Sequence, residues 1–367
     1  GLFTVTRVDK DTFSLDAYTG NAAYVSGGAG AIANVFYVEA TTGNIELAGT
    51  IRGNADLTTA TGSALKKNNV TLVSTLGSIV NNSGSVIAID QVNDLNLEAK
   101  VGSIGTSANP VTVNAKKITL TSGKSTGTAE IFIENNPKVL TGSGSAQVEL
   151  ASINTGTETN ISYKQTGGNL LVGSGGVTSN NGSILIDPPV DVTVAGDINA
   201  GTGNITLQAS NNISFTTGDL ITSGAGTVLV QADSDSDGAG NLTFTNAGTA
   251  GDEKIRVGAG TIQLRGEHIS LNDFSAITTG KIDILAGQGG ASTGEVFSGA
   301  VANASPDLSA ATFDVEAKGA GIGQSGGNTL EIVSSGQVDA EADGAIHITS
   351  VAGNALSVGL IDAGANA

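Results

Sequence analysis

Gly203-Asn204-Ile205-Thr206-Leu207 is followed along the chain by Gly226-Thr227-Val228-Leu229-Val230, Gly240-Asn241-Leu242-Thr243-Phe244, Gly260-Thr261-Ile262-Gln263-Leu264 and Gly280-Lys281-Ile282-Asp283-Ile284. Each copy is a glycine, a small or polar residue, then an apolar–any–apolar triplet. Strict alternation over so few residues is the period-2 signature of a strand with one buried face. The outer two residues of each triplet point one way and the middle one points the other. Thr206, Gln263 and Asp283 fill the middle position, with Leu229 as an exception, so that side reads as solvent-facing.

Working outward, the phrase returns upstream as Gly43-Asn44-Ile45-Glu46-Leu47 and Gly182-Ser183-Ile184-Leu185-Ile186, and downstream as Gly344-Ala345-Ile346-His347-Ile348. Starts at 203, 226, 240, 260 and 280 are spaced as in short solenoid repeats. A hairpin sandwich also spaces its strands closely, but it does not repeat one phrase in one orientation. Between copies lies a second apolar pair, such as Ile213 and Phe215, or Ile269 and Leu271. The pattern predicts an all-β fold, a parallel β-helix. Its coils hold two or three short strands and stack at about 4.8 Å, so that backbone groups pair with the coils above and below. At about 20 residues per coil, the chain predicts roughly 17 coils and a rod of about 80 Å.

A longer duplication points the same way. Leu97-Glu98-Ala99-Lys100-Val101-Gly102-Ser103-Ile104-Gly105 reads like Val315-Glu316-Ala317-Lys318-Gly319-Ala320-Gly321-Ile322-Gly323. Asn pairs at 68–69, 81–82, 135–136, 180–181 and 211–212 are turn formers that tolerate left-handed backbone, and in stacked coils they could form amide ladders. The first forty residues, Asp187-Pro188-Pro189 and the acidic stretch at 233–238 do not match the repeat. The reading is therefore an irregular or small-β segment at 1–40 and a parallel β-helix at 41–367.

Composition narrows the function. The 53 glycines of 367 residues lack a three-residue period, which excludes collagen, and the steady Val, Ile and Leu argue against disorder. Without Cys, the chain has no disulfide framework, thiol nucleophile or cysteine zinc site. With no Met either, it reads as a mature product or a piece of something larger, with any export signal upstream. A net charge of −18 disfavours nucleic acid and anionic membranes as partners and attracts divalent cations. No apolar run of membrane-spanning length occurs.

Gly102-Ser103-Ile104-Gly105 with Asn109-Pro110-Val111-Thr112-Val113, and Val192-Thr193-Val194-Ala195-Gly196-Asp197-Ile198 with the Gly203 phrase, resemble the central region of large secreted bacterial adhesins of the filamentous haemagglutinin type. The resemblance covers residues 41–367 and is one of pattern. It implies a right-handed parallel β-helix, export to the cell surface, and a rod-like stalk or filament subunit. Residues 2–15 are similar to small β modules interspersed in giant bacterial surface proteins. No secretion-domain signature of that family is recognisable, so an internal or processed piece is implied. A solenoid has open ends. Arg52, Lys66 and Lys67 are the nearest thing to a charged cap, so end-to-end self-association is expected.

The sharpest chemical signal is Asp233-Ser234-Asp235-Ser236-Asp237-Gly238. Carboxylates at positions one, three and five with Gly at six open a calcium loop, because they can converge on one hard cation. Position twelve, however, is Phe244, where an EF-hand needs a bidentate Glu. Asp233, Asp235 and Asp237 are candidate Ca2+ ligands of another type, set against a plain solvated loop. Of the two histidines, His268 is placed at a turn edge and His347 mid-triplet, facing solvent; neither has a specific catalytic partner. Asp187, Asp191 and Asp197 are the nearest acidic group for glycoside hydrolysis. Tyr18, Tyr24, Tyr37 and Tyr163 are the available tyrosine platforms, three of them placed outside the regular solenoid, and there is no Trp. The expectation is a structural extracellular protein and not an enzyme, with a carbohydrate-binding or carbohydrate-cleaving β-helix as the alternative. Asn69, Asn160, Asn204, Asn212 and Asn241 stand in glycosylation sequons that chance alone would supply in so Asn- and Thr-rich a chain.

Overall fold

The computed structural model describes residues 34–364 except 53–67, 85–86, 124–128, 138–146, 157, 189, 246–252, 272–274, 289–292, 299–304, 326–327 and 352–354, together with the strands Thr4–Arg7 and Phe13–Asp16. Tyr18, Tyr24, Lys66 and Lys67 lie outside the described residues. Thr4–Arg7 and Phe13–Asp16 form an antiparallel hairpin. From Asn34–Ala40 onward the named strands pair in parallel, and no helix occurs among the described residues. Parallel stacking thus begins inside the stretch read as an N-terminal segment, with Asn34–Ala40 beside Asn68–Ser74.

The architecture is a parallel β-helix with three walls. Its first wall is organised by one inward column. Ile45, Ile79, Ile104, Ile131, Ile161, Ile184 and Ile205 stack one above the next. The column continues through Val228, Ile262, Ile282, Phe313, Val338 and Val358. Branched side chains suit this site because they fill the pleat with little rotamer freedom to lose. Through Val338 every one is buried; Val358 is exposed at the last coil. Val192, Ile213, Leu242, Ile269 and Val296 line the second wall, and Ile198, Leu220, Ile255, Ala276 and Leu308 the third. The three walls meet in one hydrophobic core, where Phe215 and Phe244 stack at 4.7 Å.

The coil count differs from the expectation. The described first-wall column has thirteen members, and twelve steps of about 4.8 Å give a rod of roughly 58 Å. Coils are longer than assumed because the corners absorb extra chain: Val228 and Ile262 are neighbours in the column yet 34 residues apart.

The repeated phrase has a steric and an electrostatic cause. Gly203 packs on Gly182, Gly226 on Gly203, Gly260 on Gly226 and Gly280 on Gly260. In each case a Cβ would collide with the carbonyl oxygen of the glycine one coil earlier. The next residue supplies a ladder. Asn160 Oδ1 accepts the Ser183 N–H at 3.1 Å, Ser183 Oγ the Asn204 N–H at 3.4 Å, and Asn204 Oδ1 the Thr227 N–H at 2.8 Å. Asn44, Ser78 and Ser103 do the same lower down, the last for the N–H of Glu130. Three sequon asparagines, Asn160, Asn204 and Asn212, therefore already use their side-chain oxygens within the stack.

Candidate metal centre

The corner between the first and second walls changes length from coil to coil. It spans 209–212 after Ile205–Gln208, 232–241 after Val228–Gln231, and Glu267 alone after Thr261–Gly266. The longest of these three carries the acidic stretch. Its base is tied to both neighbours: the N–H groups of Asp233 and Ser234 donate to Asn211 O and Ala209 O, while Gly240 O accepts the Glu267 N–H at 2.7 Å. A short turn, Ser236 N–H to Asp233 O at 3.0 Å, folds the loop back on itself. Asp233 (φ 56°) and Ser236 (φ 58°) adopt left-handed backbone in doing so.

This folding turns Asp233 inward. Its side chain is fully buried, whereas those of Asp235 and Asp237 are exposed. Asp233 Oδ1 accepts the N–H groups of Asp237 at 2.9 Å and Gly238 at 3.2 Å. Asp233 Oδ2 is buried with no partner among the described residues. One oxygen from each of Asp233, Asp235 and Asp237 lies within 4.8 Å of the others. Burial pushes the Asp233 carboxyl above its ordinary range; the Gly238 and Asp237 N–H groups oppose this, and the Asp237 and Asp235 charges add to it. The arrangement brings together the three residues singled out in the sequence. They offer only oxygen donors, the set that suits a hard divalent cation.

The other sequence candidates fall elsewhere. Asp191 Oδ1 accepts from Asn211 Nδ2, Asn212 N and Asn212 Nδ2, at 2.7, 3.1 and 3.0 Å. Asp197 Oδ1 accepts the Asp219 N–H at 3.1 Å. Both serve as rungs of ladders on the second and third walls, at the position just before an inward residue. Asp187 ends the strand Ile184–Asp187 on the first wall, in register with Lys164. His268 opens the strand His268–Leu271 opposite Glu295. His347 is partly exposed, like the middle residues Thr206, Gln263 and Asp283 of the regular triplets, although Ile346 makes only an isolated bridge to Ile322 and the named strand starts at Ile348.

Of the two tyrosines among the described residues, Tyr163 lies in the solenoid as expected but offers no platform, and Tyr37 differs in its placement. Tyr163 is a core residue: its hydroxyl donates to Gln165 Oε1 at 2.7 Å and accepts from Asn135 Nδ2 at 3.3 Å, and burial drives its pKa far above the phenol range. Tyr37 belongs to the solenoid after all, in the strand Asn34–Ala40, and is 56% exposed. Thr71 lies beside Tyr37 in register, and Thr71 together with Asn69, Asp94, Asn96, Lys117 and Thr119 lines a surface depression.

Sequence reasoning missed Glu267. It is buried at the single-residue corner, with Oε1 accepting the Thr293 hydroxyl at 2.6 Å and Oε2 without a partner among the described residues. Nothing in Arg265-Gly266-Glu267-His268 distinguishes it from an exposed turn residue. No helix among the described residues is long and apolar enough to cross a membrane. No family model matches the chain, and no curated protein or solved structure is significantly similar to it.

Proposed function

We propose that the chain is a rod-like segment of an extracellular, adhesin-type surface protein, doing structural and not catalytic work. The observation that carries the reading is the unbroken column from Ile45 to Val358, with glycine stacking and side-chain ladders alongside it. A stack in which each coil's N–H groups are claimed by the coil beside it resists bending and shear without needing a binding cleft. The likeness of its phrases to haemagglutinin-type repeats supports secretion and a surface location. Carboxylates at Asp191 and Asp197 are engaged with N–H groups of the stack, which favours a structural role for them over glycoside hydrolysis.

Self-association end to end belongs to the same proposal. The strand Ser357–Ala363 is exposed at every residue, including Val358, Leu360 and Ile361. A further coil or a second copy stacked there would cover that apolar surface. Negative-stain electron microscopy of the purified chain tests both parts. Rods of about 60 Å, or end-joined multiples of that length, are expected. Round particles would overturn the rod, and monomers alone at high concentration would remove the self-association.

A second reading, carbohydrate binding, rests on the depression lined by Asn69, Asp94, Asn96 and Lys117 beside the exposed ring of Tyr37. Amide, carboxylate and ammonium groups next to an aromatic face are a sugar-binding chemistry. A glycan array comparing the natural chain with Tyr37→Ala decides it: a glycan signal lost in the variant supports this reading, and a blank array removes it.

A further inference from the structure

We propose that Asp233, Asp235 and Asp237 hold a Ca2+ ion that fastens the longest described corner between the first and second walls to the coils on either side of it. A carboxylate that is fully buried is costly to keep charged unless something compensates it, and one oxygen of Asp233 already takes two backbone N–H groups. The other, Oδ2, is buried and receives no hydrogen bond among the described residues. None of the ion pairs among the described residues involves Asp233, Asp235 or Asp237. Two more carboxylates converge instead, so that three negative groups place oxygens within 4.8 Å of one another. A hard divalent cation would balance the three charges and give Oδ2 a partner.

Chemistry selects the ion. Three carboxylate donors with no imidazole or thiolate among them disfavour zinc and copper. Asp235 and Asp237 are exposed, and of the Asp237 oxygens Oδ1 accepts the Ala239 N–H at 3.0 Å, so the cluster keeps an adjustable open side, which suits the large, irregular coordination shell of Ca2+ better than the strict octahedron of Mg2+. Water would complete the shell on the open side. With three side-chain ligands and no bidentate Glu, the affinity belongs with extracellular modules, at about 10⁻⁴–10⁻³ M.

The ion would act on the rod. Asp233 and Ser234 are bonded to the 209–212 corner, and Gly240 to Glu267 one coil further. A cation that draws Asp235 and Asp237 onto Asp233 closes the loop between those anchors, so one ion spans three successive coils. Neither the buried Asp233 oxygen nor the convergence of the three carboxylates depends on the adhesin reading.

Isothermal titration with CaCl2, and thermal melts with Ca2+ or a chelator, test it on the whole chain. Single-site binding at about 10⁻⁴–10⁻³ M is expected, with melting raised by roughly 2–5 °C at about 10 mM Ca2+. Asp235→Asn and Asp237→Asn alter exposed groups and leave a side-chain oxygen to accept the Ala239 N–H, and each should weaken binding at least about tenfold. Asp233→Asn is the less secure variant because its site is buried, so the two exposed variants keep the test decisive. Absence of binding heat, or a melting shift that survives in the Asp235→Asn/Asp237→Asn double variant, would overturn the site. So would an equal shift with Mg2+, which would assign the effect to screening of the −18 net charge.

Discussion

The corner at 232–241 and the corner at Glu267 join equivalent strands one coil apart, yet one takes ten residues and the other takes one. The strands on both sides keep their partners regardless: Val228 faces Ile262, and Leu242 faces Ile269. Register is therefore held by the walls, and the corners carry whatever length they are given. Closing a longer loop costs entropy that grows only with the logarithm of its length, which is why so unequal a pair can coexist. The two corners nevertheless share one chemical trait. Each buries a carboxylate with one oxygen bonded and the other without a partner among the described residues.

The contrast between rigid wall and permissive corner is broken most severely at the glycine column. Gly260→Val places a branched side chain against the Gly226 carbonyl oxygen, so the coils must part. A loss of about 4 kcal/mol or more is expected in chemical denaturation. Near-normal stability would show that the walls yield as corners do.

A smaller effect separates the two corners from each other. Asp233 has its pKa raised in the folded chain, chiefly by burial, so the folded state retains this proton to higher pH than the unfolded state. Without calcium, its contribution is then full below the unfolded carboxylate range and is lost as pH rises through the raised folded value. Melting temperature followed against pH in chelator should show that decline in the natural chain and a flatter profile in Asp233→Asn. Identical profiles would mean that the buried oxygen is compensated by other means.

Least of all is expected from adding chain where chain is already tolerated. Doubling the 209–212 corner with a Gly-Ser-Gly-Ser insertion after Ser210 should cost only about 0.6 kcal/mol in denaturant unfolding. A loss comparable to the glycine variant would show that corners, too, are part of the register.

The same division explains what could be read from the residues. Triplets such as Ile205-Thr206-Leu207 were legible because inward and outward positions alternate without exception along the strand, with the outer two buried and the middle one partly exposed. Asp233, Asp235 and Asp237 were legible as a group because local spacing alone draws them together. Coil number was not, since corner length leaves no periodic trace. Asp191 and Asp197 were weighed for catalysis, although their place directly before Val192 and Ile198 matches that of Asn204 before Ile205. A polar residue ahead of an inward one is the signal that would have placed them in the ladders. Tyr163 is harder: its inward direction follows from alternation with Ile161, but a buried hydroxyl needs Gln165 and Asn135, and Asn135 is a coil away.

The two related cassettes, 97–105 and 315–323, carry a consequence for how such a molecule could grow. Leu97 lies on the third wall and Ile104 on the first, whereas Val315 lies on the first wall and Ile322 on the second. Both cassettes end in a glycine of the same conformation, Gly105 at φ 66° and Gly323 at φ 65°. One stretch of text thus turns a bend wherever it is written. What the two cassettes share is a wall with its bend, a third of a revolution, and not a whole revolution. Recombination between such units would rotate everything downstream about the axis by one wall while preserving the hydrogen-bonded stack, and so re-aim a distal surface without redesigning it.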